Sequence, residues 1–321
     1  MNIMNDIYIT NGGKKDGVGS QLLSKILAMI YCQEHKFKYI HSPFKIFDYK
    51  DQDKTAEHYY KKGKGMKWVY KWEHFLNIGN GFLKDTDINF DIIIDITKIS
   101  KTGQIGKHDN YLWHDFNPLK NINDNIKKYS NKKILFIIKE FPKINFYKKE
   151  NIDLILKKIN YNYSLTPSPP ILFNEEIFNI VIHKRHTRGN KLKKDSNLAD
   201  KNCRITLNTF YIEIIKKLYE MYSDKNIQFW IFSDGEKNDF SEFKFISNNE
   251  SMLEYKNTNI RLKMMLKTNS IETFHHFAKS DILIMDKSSF SYCGALFNSN
   301  KIIYTDYWDK PYYKWINSIS I

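Results

Sequence analysis

From residue 178 onward, short β-branched runs alternate with amphipathic stretches. That alternation admits few folds besides a parallel sheet flanked by helices. Strands are predicted at 178–183, 227–233, 259–264, 281–285 and 301–305. Helices are predicted at 207–222, 270–279 and 290–297, with a short one at 240–245. The earlier part of the chain follows the same grammar less cleanly. It offers a strand at 6–10, a glycine-bearing turn at 12–19, a helix at 21–34, and strands at 37–41, 90–96 and 134–138. Residues 51–84 are rich in Lys and aromatics and poorly periodic, and read as helices carrying an acceptor surface. Between the two parts stands Thr166-Pro167-Ser168-Pro169-Pro170. Prolines this dense neither continue a helix nor sit in a central strand. They mark a linker, giving α/β domains at 1–165 and 166–321 within 321 residues.

Apolar residues make up 42% of the chain and aromatic residues 15%, enough for two buried cores. The net charge of +14 invites a nucleic-acid reading. Yet only Arg185, Arg188, Arg204 and Arg261 among the 50 basic residues are arginine. A solvated lysine surface is the simpler account, with peripheral contact to a membrane or an acidic acceptor next. No nucleic-acid partner is expected. Three of the arginines fall within 185–204, where planar guanidinium forks suit phosphate better than ammonium groups do. Cys32, Cys203 and Cys293 are scattered and odd in number, which fits a reducing compartment and no disulfide framework. No window reaches the roughly 18 apolar residues of a membrane span, so a cytoplasmic enzyme is expected.

Ligands of open α/β sheets gather at the carboxyl ends of the strands. Three strings lie there in the second domain. Ile180-Val-Ile-His183-Lys-Arg185-His186-Thr-Arg188-Gly189 runs a hydrophobic strand into a cationic cluster. Cations fixed at that edge would stabilise a leaving diphosphate, although a solvated basic turn is the other reading. Gln228-Phe-Trp-Ile-Phe-Ser233-Asp234-Gly235 ends a buried strand in hydroxyl, carboxylate and backbone donors, or simply in a tight turn. Asp286-Lys-Ser288-Ser289-Phe290-Ser291 opens a helix with hydroxyls able to cap it and cradle phosphate. In the first domain, Gly17-Val-Gly19-Ser-Gln21 lets backbone pass close to a ligand, as would any strand-to-helix turn. It completes neither the dinucleotide nor the Walker pattern.

Together these strings resemble the fucosyltransferase superfamily that groups α-1,2-, α-1,6- and protein O-fucosyltransferases with nodulation fucosyltransferases. The matching residues are Gly17-Val-Gly19-Ser-Gln21, His183-Lys-Arg185-His186, and Ser280-Asp281 through Ser288-Ser289-Phe290-Ser291. The resemblance implies a GT-B-like fold, with two Rossmann-type domains facing across a cleft. It implies a metal-independent inverting transferase using a GDP-sugar as donor, often GDP-fucose, with no cofactor. By resemblance, Arg185 grips the β-phosphate, His183 orders the nucleotide pocket, Ser288, Ser289 and Phe290 line it, and His275 contacts the nucleotide. The chain departs from the pattern at His186, at Thr187-Arg188-Gly189-Asn190, and where Thr273 beside Glu272 replaces an aspartate thought to read guanine. UDP- or dTDP-linked donors therefore stay open beside GDP. Asp51-Gln-Asp53 and Asp85-Thr-Asp87 are short acidic strings away from this edge and read as surface acids, so no metal is expected. Inversion calls for a base on the acceptor hydroxyl, and Asp16, Asp195 and the His114-Asp115 pair are candidates. The expected activity is transfer of fucose or a related deoxyhexose to a glycan acceptor. The other reading is a non-catalytic module binding anionic glycan or nucleic acid.

Overall fold

The structure, a computed structural model, describes residues 6–47, 65–96, 118–129, 131–169, 171–186, 206–305 and 310–321. The chain forms two compact units, divided between Thr166 and Pro167, with residues 65–68 grouped with the second.

Among the described residues the first unit is built on five strands: β1 (Asp6–Asn11), β2 (Lys38–His41), β3 (Leu83–Lys84), β4 (Ile92–Asp95) and β5 (Lys133–Ile138). Their order is β3-β2-β1-β5-β4, and every pairing is parallel. Helix α1 (Val18–His35) carries the chain from β1 to β2, burying Leu22, Ile26, Ala28 and Ile30. Among the described residues three more helices follow: α2 (Gly65–Leu76), α3 (Pro118–Lys128) and α4 (Lys149–Ser164).

Among the described residues the second unit holds eight strands: β6 (Phe178–Lys184), β7 (Ile227–Ser233), β8 (Lys244–Phe245), β9 (Glu250–Tyr255), β10 (Thr258–Leu266), β11 (Ile282–Ile284), β12 (Lys301–Tyr304) and β13 (Ile316–Asn317). Their order is β13-β12-β11-β6-β7-β10-β9-β8, parallel except where β9 pairs antiparallel with β10 and β8. Strand alternation sorts the side chains onto two faces. Ile180, Ile182, Phe229 and Ile231 pack with Tyr211, Ile215 and Leu218 of α5 (Asn208–Met221). On the other face, Phe232 meets His276 and Phe277 of α6 (Ser270–Lys279). Helix α7 (Ser289–Leu296) lies against α6 so closely that a Cβ on Gly294 would sit 2.8 Å from that of Phe277. The sheet is therefore covered on both faces, as parallel sheets require.

One predicted element is corrected. Residues 240–245 form no helix: a 3₁₀ turn over Lys237–Phe240 leads into β8. Phe240 and Phe243 are both buried, and the Phe243 N–H bonds to the Phe240 carbonyl at 3.0 Å. That i→i+3 bond tightens the turn enough to face both rings inward.

In an open sheet the ligand crevice opens where the strand order reverses. In the second unit the chain leaves β6 for β7 on one side and returns to β11 on the other. The carboxyl ends of β6 and β11 thus flank the switch point, bringing residues 185–186 beside 285–288. The corresponding place in the first unit lies between β1 and β5, and Asn11 fills it. Its side-chain amide donates to Ser24 Oγ at 2.8 Å and to the Ile138 and Lys139 carbonyls at 3.3 Å.

Candidate anion site at the carboxyl edge of the second unit

Arg185 follows β6 directly. Its backbone N–H donates to Asp286 Oδ2 at 2.6 Å across the switch point. The neighbouring His186 N–H donates to Asp234 Oδ1 at 2.5 Å, beyond the end of β7. Two carboxylates thereby hold this short segment by its main chain, leaving the Arg185 side chain to other uses. The Arg185 residue is half-buried, and among the described residues none accepts a hydrogen bond from its guanidinium. Its charge reaches Asp234, where it opposes the upward push that burial gives that carboxyl. The His186 ring turns to Asp239, at 3.5 Å.

The Ser233-Asp234-Gly235 turn builds this edge from within. Ser233 Oγ accepts from the Gly235 N–H at 3.0 Å. A Cβ on Gly235 would lie 3.0 Å from Asp239 Oδ2 and 3.3 Å from the His186 Cβ, so a larger residue there needs those neighbours to give by a few tenths of an ångström. The serines after β11 divide their labour. Ser288 is the N-cap of α7, accepting from the Phe290 N–H at 3.3 Å. Ser291 is buried and donates back to the Asp286 and Ser288 carbonyls, both at 3.2 Å. Ser289 and Phe290 remain partly exposed. The first-turn N–H groups of α7 point out of the helix start, where the partial positive charge of a helix collects. A half-buried arginine and a helix N-terminus thus adjoin at the switch point, their main chains joined through Asp286. That pairing suits an anion with several oxygens.

His183 sits lower, on the face under α6 and α7. It is 8% exposed, its ring 5.1 Å from Phe277 and 6.0 Å from Phe290, and its Nδ1 is buried without a partner. Burial, then the charges of Arg185 and Lys184, hold its pKa down to about 3. His275 is also buried and held down, to about 4, by burial and then by Lys279 and His276. Both imidazoles are neutral in the folded protein at neutral pH. Below about pH 6.5 the unfolded chain takes up protons that the folded chain refuses. The stability these residues give at neutral pH is therefore lost as pH falls from about 6.5 toward 4 and then 3. Urea unfolding between pH 7 and 4 should show that decline. His183→Phe, which keeps an aromatic ring there, should make it shallower; an unchanged slope would contradict the assignment.

The remaining predicted residues lie elsewhere. His275 lines a groove of about 800 Å³ at the amino edge of the sheet, with Asn179, Lys225, Lys279 and Asp281. It does not join Arg185 at the carboxyl edge. His276 next to it ties down the chain after the proline run. Its Nε2 accepts from the Leu172 N–H at 3.1 Å, while Nδ1 is 2.7 Å from the Glu272 carbonyl. Gly17, Gly19, Gln21 and Asp16 belong to the first unit. Gly17 precedes α1 with open space around it, Asp16 is exposed, and Gly19 is buried within the helix. Gln21 is a latch: its amide donates to the Asp16 and Ile46 carbonyls, both at 2.7 Å. Buried Lys25 helps it, donating to the Ser42 carbonyl, while Glu73 takes the Phe44 N–H at 3.1 Å and His41 Nε2 at 2.5 Å. Arg188, Asp195, the His114-Asp115 pair and Asp51-Gln-Asp53 lie outside the described residues. The Asp85-Thr-Asp87 string forms an exposed 3₁₀ turn in which Asp87 caps the Lys84 N–H at 2.7 Å. Among the described residues no three His, Cys, Asp or Glu side chains are grouped to hold a metal. None of the described helices is long and apolar enough to cross a membrane.

Sequence reading missed Asp286, Thr206 and Lys184. Asp286 stands in plain view before the serine string. Its partners are 101 and 80 residues away, so only the folded sheet reveals its work.

The second unit is thus a doubly wound α/β domain with an anion-receptive switch point, the class of site that nucleotide-binding domains use. No known family model matches the chain, and no curated protein matches it. It is similar to solved fucosyltransferase structures along most of its length. NodZ α-1,6-fucosyltransferase co-crystallised with GDP is 10% identical, with 94% of this chain and 96% of that one covered, at a TM-score of 0.41. POFUT1 in complex with GDP is 9% identical, with 94% and 98% covered, at 0.44. Fucosyltransferase NodZ from Bradyrhizobium is 12% identical, with 94% and 95% covered, at 0.42.

Proposed function

We propose that this protein is an inverting, metal-independent glycosyltransferase that moves fucose or a related deoxyhexose from a GDP-sugar to a glycan acceptor. One observation carries the reading. Arg185 is half-buried at the end of β6, its main chain joined through Asp286 to the start of α7, and no described residue accepts a hydrogen bond from its guanidinium. Withdrawing such a cation from water is costly, and the Asp234 charge nearby answers it without a hydrogen bond. An anionic ligand seated there offsets that cost.

The chemistry follows from the charge change. As the sugar's anomeric carbon separates from the β-phosphate oxygen, negative charge grows on the diphosphate. A fixed guanidinium and helix N–H groups stabilise that growing charge more than they stabilise the intact donor. The acceptor hydroxyl attacks from the opposite face and gives up its proton. Asp16 and Asp195 remain the candidates to receive it, or to leave it to solvent once leaving-group help suffices. In this reading the first unit takes the acceptor, the second holds the donor, and the enzyme works in the cytoplasm with at most peripheral membrane contact.

Calorimetry with GDP, UDP and dTDP at moderate salt tests the donor. GDP is expected to bind, and to raise the melting temperature through linkage. Binding of UDP or dTDP instead would keep the transferase and change the base. Binding of none, alongside salt-sensitive binding to polyanions, would replace the transferase with a charge-driven module.

A further inference from the structure

We propose that Asp286 is the positioning residue of this site, resting on the reading of Arg185 as the diphosphate grip. It is a carboxylate in an anion site, which on charge alone is the wrong sign. Its burial and its partners explain why it stands there. Asp286 is 1% exposed. Oδ2 accepts from the Arg185 N–H at 2.6 Å. Oδ1 accepts from the Thr206 hydroxyl at 2.6 Å and from the Lys287 N–H at 2.7 Å. Its main-chain carbonyl accepts from the Ser288 N–H at 2.7 Å and from Ser291 Oγ at 3.2 Å. One residue therefore joins three segments: the end of β6, the approach to α5, and the start of α7.

The charge is answered from below. Lys184 is buried, and its ammonium donates to the Thr206 carbonyl at 2.9 Å. Burial lowers the Lys184 pKa, and Asp286 is the foremost of the carboxylates opposing that fall. The carboxylate thus accepts three hydrogen bonds, each from a donor of a different segment. The two anion-gripping elements, the Arg185 backbone and the α7 start, are set at a fixed spacing by the same residue. Preorganised donors of this kind need no rearrangement as charge develops.

Asp286→Asn separates this role from a general one. An amide has a single acceptor oxygen. With that oxygen kept toward Thr206 and Lys287, the NH₂ faces the Arg185 N–H, donor against donor. The main-chain carbonyl contacts to Ser288 and Ser291 are unaffected. Thr206→Val removes only the hydroxyl that braces Oδ1 and lies farther from the crevice.

The test is a double-mutant cycle on GDP affinity by calorimetry, or on whichever nucleoside diphosphate the wild type binds. D286N is expected to weaken binding about tenfold, and T206V about threefold, from the loss of a buried hydrogen bond. In an Arg185→Ala background both effects should shrink to less than about twofold, because they act through the same side chain. Full effects persisting in that background, or wild-type affinity in D286N, would overturn the proposal while leaving the donor-site reading standing. Should D286N fail to fold, the T206V pair decides by the same comparison. A wild type that binds none of the three nucleotides overturns the donor reading, and this inference with it.

Discussion

Replacing Arg185 with alanine is expected to lower turnover by about 10²–10³ while leaving the fold intact. The fold should survive because only the Arg185 backbone is engaged: the N–H bonded to Asp286 is retained in alanine. What disappears is a planar donor fork at the end of β6 from which no described residue accepts a hydrogen bond. If that fork meets charge appearing on the leaving diphosphate, the loss belongs mainly in kcat, with a smaller rise in KM for the donor. Arg185→Lys should fall between the two, since an ammonium keeps the charge and loses the bidentate geometry. Initial rates with GDP-fucose, read with the melting temperature of each variant, check this. A stable R185A protein with near-normal turnover would remove the central assignment.

How far this site could be read from the chain depended on the range of its interactions. The strands at its floor announce themselves locally. Ile180-Val-Ile and Ile282-Leu-Ile are unbroken apolar runs, as strands buried on both faces must be. The cap at Ser288 is equally local, bonding two residues ahead. The edge hairpin β8–β9 gave no such signal. Of its eight residues only Ser251 and Leu253 are buried, so the composition reads as loop. Gln21 and Ser291 show a different limit of the sequence. Each carries a polar side chain suited to a ligand, yet each spends it on nearby main-chain carbonyls. A sequence shows which groups can donate, and burial decides where they do. Asp286 is the extreme case, its function lying wholly in contacts with Arg185, Thr206 and the turn it starts.

The largest stability loss is expected at Phe277→Ala, at about 3–5 kcal/mol. Phe277 is 0% exposed and stands where α6, α7 and the sheet meet. Its ring lies 5.1 Å from His183, 5.6 Å from Phe290 and 5.9 Å from Phe232, and its Cβ is pressed against Gly294. The glycine that lets α7 approach offers no side chain to fill the space an alanine would leave, so the cavity persists and its cost adds to the lost burial. Met221→Ala on exposed α5 surface is the matched control and should change stability by less than about 0.5 kcal/mol. Urea midpoints at unchanged slope give both numbers. Two of the three rings left beside the cavity, Phe290 and His183, connect it to function. Phe290 is in the first turn of α7, and His183 precedes Arg185 by two residues in β6. Even where the variant is folded, the helix start and the guanidinium should lose their fixed spacing, and nucleotide affinity should fall with stability. A stable F277A protein with full affinity would show that the spacing is held by the Asp286 bonds alone.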